Sequence, residues 1–349
     1  MGPHPAVAAI RNEVRACLAG LADLAGPADQ GTEDRDREGA LVLVACSGGA
    51  DSLALAAALA FEAPRAGMRA GGITIDHGLQ PGSAEQARRT AAVLQGLGLS
   101  PVVSMPVTVP GPAEAGGPEA AARHARYAAL DRAAEQAGAW IMLGHTLDDQ
   151  AETVLLGLAR GSGARSLAGM APASGRYLRP LLSIRREQTV AACAAQGLEP
   201  WQDPHNCDPA FTRVRIRRLM PELEDALGPG VAEALARTAA MLRADADALD
   251  EAAQAEAARL GGTDAALAGG WPAADLAGQP AALRFRLLRS AALAAGCPPG
   301  AMSSRHLVSL DAMVTAWRGQ RWTDLPGGVR CQRRYGRLLF TRAGGHPPS

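Results

Sequence analysis

Residues 41–52 read LVLVACSGGADS, and the fold turns on how this stretch divides into an apolar run, a glycine pair and a polar close. The apolar run predicts a buried parallel strand that ends at its carboxyl edge. Gly48 and Gly49 then let the backbone turn sharply and bring its N–H groups close to an anion. A helix opening at about Ala50 points its positive end at the same place. Ser47, Gly48, Gly49, Ala50, Asp51 and Ser52 therefore make a candidate phosphate cradle, with an ordinary strand-to-helix turn as the plainer alternative. The P-loop pattern needs Gly-Lys-Ser/Thr, and this chain has no lysine, all 35 of its basic residues being arginine.

Outward from that stretch, strands and helices alternate. A helix is expected over 5–25 and a polar, acidic connector over 27–40. Helix over 53–61 precedes a strand over 71–75 that ends in Asp76-His77-Gly78. The next helix, 83–97, takes Ser83 as N-cap, with Gln86 completing a capping box. A strand over 101–109, a Gly/Pro loop over 111–118, a helix over 119–136 and a strand over 139–143 follow. This alternation predicts an α/β fold, a doubly wound parallel sheet whose ligands sit beyond the carboxyl ends of the strands. Asp76 and His77 lie at that edge, as a contact to adenosine or ribose or as a plain turn.

The segment GHTLDDQAET, 144–153, lies at the same edge. With a helix beginning near Thr146, His145, Asp149 and Glu152 form one stripe with Asp148 beside it. Carboxylates so clustered before a phosphate cradle suit Mg²⁺ held partly through water and phosphate oxygens, which makes Asp51, Asp148, Asp149 and Glu152 the candidate metal ligands. On the 119–136 helix, Glu119, Arg123 and Arg126 share a face, either as a surface ion pair or as part of the site.

Formal net charge is zero, yet charge is unevenly placed. Ten arginines against four acids occupy 160–218, and seven against Asp324 alone occupy 318–342, a pattern that fits local contact with a polyanion or a solvated arginine-rich surface. Six cysteines without a C-x-x-C pair argue against a zinc ribbon, a disulfide framework or a redox dithiol. No long apolar run or signal sequence is present, so a soluble, cytoplasmic protein with no membrane contact is expected. Beyond Met220-Pro221, which closes an arginine-rich helix, a long acidic helix over 231–260 leads to helices over 281–295 and 305–317. Short strands follow over 321–324, 329–333 and 337–341, a small α+β domain with an arginine-rich sheet.

Taken together, SGGADS (47–52), DHGLQ (76–80), EAAARHARY (119–127), GHTLDDQAET (144–153) and ARGSGARSLAGM (159–170) occur in the order found in tRNA(Ile)-lysidine synthetases. YLRPLLSIRREQ (177–188), WQDPHNCDPAFTRVRIR (201–217) and DLPGGVRCQRRYGRLLF (324–340) are also similar to that family. The resemblance, which covers about 41–340, places the first domain among PP-loop, N-type ATP pyrophosphatases. It implies that ATP adenylates C2 of the wobble cytidine of tRNA(Ile) with a CAU anticodon, and that the ε-amine of free L-lysine then displaces AMP. By the family's motifs, Ser47 to Ser52 hold the pyrophosphate, Asp76 and His77 the adenosine, and Asp51 helps organise Mg²⁺. His145 and Asp149 become the catalytic pair, Asp149 the base, while Arg123 and Arg126 lie near phosphate or target nucleotide. Arg160, Arg165, Arg213, Arg215, Arg217, Arg330, Arg333 and Arg334 become tRNA contacts.

The implied domains are an N-terminal helix and connector (1–40), a catalytic domain (41–220), a helical linker (221–260) and a tRNA-binding accessory domain (261–349). A homodimer is left open. Two departures stand out: Gln80 where many members carry Arg, and Val214 where Asn is common. A further C-terminal domain of longer members is expected to be absent. A tRNA-thiolating PP-loop enzyme is the nearest rival, weakened by the unpaired cysteines, and a non-catalytic RNA-binding protein has no need of the acids at 148–152.

Overall fold

The buried run 41–45 becomes the centre of a sheet in the computed structural model of the chain, which describes residues 2–25, 39–76, 78, 82–107, 118–161 and 163–342. The chain divides into two compact units, Met1–Leu242 and Arg243–Ser349. The first contains α1 (Pro5–Ala25), β1 (Leu41–Ala45), α2 (Ala50–Glu62), β2 (Arg69–Asp76), α3 (Ser83–Gly96), β3 (Val102–Pro106), α4 (Pro118–Ala137) and β4 (Trp140–Leu143). It continues through α5 (Leu147–Ala159), α6 (Ala164–Leu167), β5 (Ala173–Ser174), β6 (Tyr177–Leu178), α7 (Arg186–Ala195) and α8 (Thr212–Leu227).

The strand order is β3-β2-β1-β4-β6-β5, parallel except for the edge pair β5–β6. Side chains alternate across a strand, so β1 serves two cores at once. Val42 and Val44 pack among α1, α2 and α7, and Leu41 and Leu43 pack against Leu130 and Ala134 of α4. The apolar run thus reads continuously because both faces are covered. From β1 the chain moves outward to β2 and β3 and returns to β4 on the other side of β1. That reversal opens a crevice at the carboxyl ends of β1 and β4, where such sheets take their ligands.

Two expectations change, and two short strands are new. Gly82, left-handed at φ 86°, takes the N-cap of α3 and makes no side-chain cap, so Ser83 is the first helical residue. Gln86 instead points its amide at Thr90 Oγ1, 3.4 Å away. Pro221 does not end the arginine-rich helix: α8 runs through it to Leu227, giving up one backbone hydrogen bond. Strands β5 and β6, two residues each, are too short to show a period. The connector over 26–38, His77, Gln80 and the loop over 111–117 lie outside the described residues.

The division between the units falls within α9 (Val231–Arg259). The second unit adds α10 (Gly262–Ala268), β7 (Trp271–Pro272), α11 (Ala273–Ala277), α12 (Ala281–Ala294), α13 (Ser304–Thr315), β8 (Trp322–Leu325), β9 (Val329–Arg334) and β10 (Arg337–Arg342). Its antiparallel sheet, β7-β10-β9-β8, buries Cys331, Leu338 and Phe340 against Leu287, Leu288 and Leu310 of the helices. No helix among the described residues is long and apolar enough to cross a membrane.

Candidate active site

Where β1 ends, Gly48 adopts φ 87° and the chain turns into α2. A Cβ at Gly48 would lie 2.8 Å from both Gln86 Nε2 and Thr90 Oγ1, so glycine is required there by space and by dihedral alike. Ser52 Oγ closes the turn: it donates to the Gly49 carbonyl at 3.0 Å and accepts from the Ser47 N–H at 3.3 Å. Gly49 caps α2 without a side chain, so no protein oxygen occupies the first N–H groups of the helix. The strand-to-helix turn is therefore an open anion cradle, with the exposed Ser47 at its lip.

Opposite it, β4 runs through Gly144 and His145 into α5. A Cβ on Gly144 would lie 3.0 Å from the carbonyl carbon of Asp51, so its absence lets the end of β4 approach the first turn of α2. Thr146 caps α5 in a reciprocal box: its hydroxyl accepts from the Asp149 N–H at 3.4 Å, and Asp149 Oδ2 accepts from the Thr146 N–H at 2.9 Å. Asp149 is thus held by its own helix start.

Arg186, at the first residue of α7, ties the acids together. Its guanidinium lies 2.7 Å from Asp149 Oδ1, 3.4 Å from Asp51 Oδ2 and 3.6 Å from Glu152 Oε1. Its backbone N–H donates to Asp148 Oδ2 at 2.7 Å. Thr189, one turn on, donates its hydroxyl to Asp51 Oδ1. From α8, Arg217 reaches Glu152 Oε1 at 2.8 Å and Asp149 Oδ1 at 3.8 Å. Glu152 Oε2 is buried with no hydrogen-bond partner, and so is His145 Nδ1.

These surroundings set the charge states. Burial disfavours the Arg186 cation, yet Asp149, Asp51, Glu152 and Asp148 outweigh it and raise its pKa. Burial also opposes ionisation of Asp149, but Arg186, the Thr146 N–H, His145 and Arg217 together hold it below the usual carboxylate range. For Asp51 and Glu152 burial prevails and moves the pKa up. Burial pushes His145 well down, with Arg179, Arg126 and Arg123 adding to the effect and Asp149 opposing it. His145 is therefore neutral at physiological pH, able to offer or accept one hydrogen bond.

Ser47, Gly49, Ala50, Asp51 and Ser52 of the cradle line one cavity of about 670 Å³ with His145, Asp149, Arg126, Arg186 and Arg217, and Ile73, Ile75, Leu130 and Trp201 add apolar lining. Burial depresses the pKa of Arg126, with Tyr127 opposing the shift and Arg123 and Arg213 adding to it. Arg123 is exposed and bonds Tyr127 instead of lining the cavity. Asp76, at the end of β2, accepts from the Gly78 N–H at 3.0 Å. A second cavity of about 300 Å³ adjoins the first, sharing Arg186 and Arg217, and is lined also by Asp148, Glu152, Glu224 and Arg185. Among the described residues no three His, Cys, Asp or Glu side chains gather as a metal site.

Of the arginines assigned to RNA, Arg217 belongs to the cavity. Arg160, Arg165 and Arg334 are exposed, and Arg215 folds back onto the Pro209 and Ala210 carbonyls. Arg330 pairs with Asp324, while Arg333 donates to the Met313 and Val314 carbonyls at the end of α13. Arg213 lies half-buried, and Val214, the departure from the family's Asn, is buried. Arg186, Thr189 and Trp201 were not singled out from sequence. All three stood in or beside motifs that the family resemblance covered, Arg186 within 177–188, Thr189 just after it and Trp201 at the start of 201–217, but none was given a role.

Two family patterns match the chain: one described as a PP-loop domain over 27–223, the other as a TilS substrate binding domain over 272–339. The tRNA(Ile)-lysidine synthase of Thermobifida fusca (strain YX) is 56% identical over 97% of this chain and 99% of its own length. That of Streptomyces coelicolor is 56% identical with the same coverage. That of Leifsonia xyli subsp. xyli is 53% identical over 94% of this chain and 99% of its own. With the PP-loop pattern matching more than half of the chain and identity above half across nearly the full length, the chain belongs to the tRNA(Ile)-lysidine synthase family.

Proposed function

We propose that this protein is an ATP-dependent ligase that joins free L-lysine to C2 of the wobble cytidine of tRNA(Ile) with a CAU anticodon, releasing AMP and pyrophosphate. The observation that supports it best is one cavity holding both an uncapped helix N-terminus and a cluster of buried carboxylates bound to arginine. In the first step the oxygen on C2 of the base bonds to the α-phosphorus of ATP and pyrophosphate leaves. In the second, the lysine ε-nitrogen bonds to C2 as the bond to AMP breaks.

Ser47, Gly49, Ala50 and Ser52 face the leaving pyrophosphate across a turn set by Gly48, and Arg126, Arg186 and Arg217 offset its charge in a partly desolvated setting. Asp76 and His77 keep the adenosine role. ATP chemistry calls for Mg²⁺, with Asp51, Asp148, Asp149 and Glu152 as its expected holders. As arranged, these side chains do not fit an ion held by the protein alone, because arginines already engage all four.

The second cavity has the mixed charge that a dibasic amino acid needs: arginines for the carboxylate, Asp148, Glu152 and Glu224 for ammonium groups. Glu152 is better placed than Asp149 to take the proton from the ε-ammonium, since its Oε2 is free while Asp149 is committed to Thr146 and Arg186. Asp149 then holds Arg186 in place. Exposed Arg160, Arg165 and Arg334 contact RNA phosphate. A tRNA substrate places the reaction in the cytoplasm.

The test mixes protein, ATP, Mg²⁺, labelled lysine and a tRNA(Ile) transcript with a CAU anticodon. The expected result is label in the RNA with one AMP per lysine. ATP binding and intact tRNA without incorporation would sink the assignment.

A further inference from the structure

The sheet of the second unit has two unlike faces. Leu325, Val329, Cys331, Leu338 and Phe340 point into the core. Side chains alternate, so Trp322, Asp324, Arg330, Gln332 and Arg334 fall on the other face, with Asp324 paired to Arg330. By register Trp322 stands opposite Gln332, with Arg330 and Arg334 its diagonal neighbours on β9. The Trp322 ring is 43% exposed, and the Arg330 guanidinium lies 4.6 Å from its centroid. Arg333 is not part of this surface: it faces the other way and holds the end of α13.

Tyr335 is the odd residue. Strands β9 and β10 are joined by Tyr335-Gly336, with Arg334 paired to Arg337 across the turn. Both turn residues have positive φ, 48° for Tyr335 and 73° for Gly336. Two-residue turns of this kind prefer Asn-Gly, and a bulky residue at positive φ is an outlier. Tyr335 is nevertheless 94% exposed, and Arg334, 5.8 Å from the ring centroid, is its ring neighbour. The core makes no use of that ring. A strained conformation that exposes a large aromatic side chain points to a contact made outside the fold.

Flat rings each beside a guanidinium group are what unpaired bases stack on, while neighbouring arginines meet the phosphates. Paired bases keep their faces within the helix and cannot use such a surface. We propose that Tyr335 and Trp322, with Arg330 and Arg334, form a stacking platform for unpaired nucleotides of the RNA substrate. This deepens the assignment above and rests on tRNA being that substrate.

Tyr335→Asn removes the ring and supplies the residue the turn prefers, so its melting temperature should equal or exceed that of the parent. Trp322→Thr keeps a strand-forming residue on the open face. In lysidine synthesis by the whole protein, each variant should raise the KM for tRNA roughly tenfold, a typical worth for one stacked base. The kcat and the KM values for ATP and lysine should stay within about twofold. Tyr335→Trp should restore binding. An unstructured oligoribonucleotide should bind the two ring-removing variants more weakly, while an RNA duplex of equal length binds them as it binds the parent. Unchanged tRNA KM in both variants, or equal losses for duplex and single strand, would overturn the platform. If the parent makes no lysidine yet the variants lose single-strand binding selectively, the substrate assignment fails and the platform stands.

Discussion

Arg186 makes ion pairs with Asp51, Asp149 and Glu152 and takes Asp148 on its backbone N–H. Removing one partner of a buried, hydrogen-bonded charge set leaves the others uncompensated. Arg186→Ala should therefore cost about 3 kcal/mol of unfolding free energy in a denaturant titration and abolish lysine incorporation. Adding Glu152→Gln to that variant should return part of the stability and none of the activity. Stability equal to the parent would mean that water satisfies the acids. This residue also marks how far the site could be read from the chain. His145 and Asp149 were legible because they sit four positions apart in one motif. Arg186 lies 37 residues from Asp149 and 135 from Asp51, so no local spacing joins them.

At the scale of elements, the glycine pair divides into two unequal halves. Gly48 has positive φ and close neighbours, whereas a Cβ on Gly49 would find Ser47 Oγ at 3.7 Å and nothing nearer. Gly48→Ala should weaken ATP binding at least tenfold in a calorimetric titration, while Gly49→Ala should keep the fold and most of the affinity. The reverse ranking would mean that backbone freedom at Gly48 is not what shapes the cradle. Strands β1 and β4 of the main sheet were legible because they are largely buried and read as unbroken apolar runs. The capping box at Ser83 was not, because a left-handed glycine and a serine compete for one cap, and backbone conformation decided between them. Pro221 shows the same limit, since helix context overrode a local breaker.

For the whole molecule, two units with separate cores should melt in two steps. ATP at a hundred times its Kd should stabilise the first unit by about 2.7 kcal/mol and leave the second transition where it was. Differential scanning calorimetry with and without ATP checks this, and one transition moving as a whole would contradict it. Within the first unit, the two cavities share Arg186 and Arg217 as a common wall. A guanidinium drawn toward a guest in one chamber is withdrawn from the other, so the two ligands cannot bind as strangers. Linkage then imposes a symmetry: whatever factor the nucleotide imposes on the affinity of the second guest, that guest returns in equal measure. The partition that separates the substrates is also what lets each sense the other.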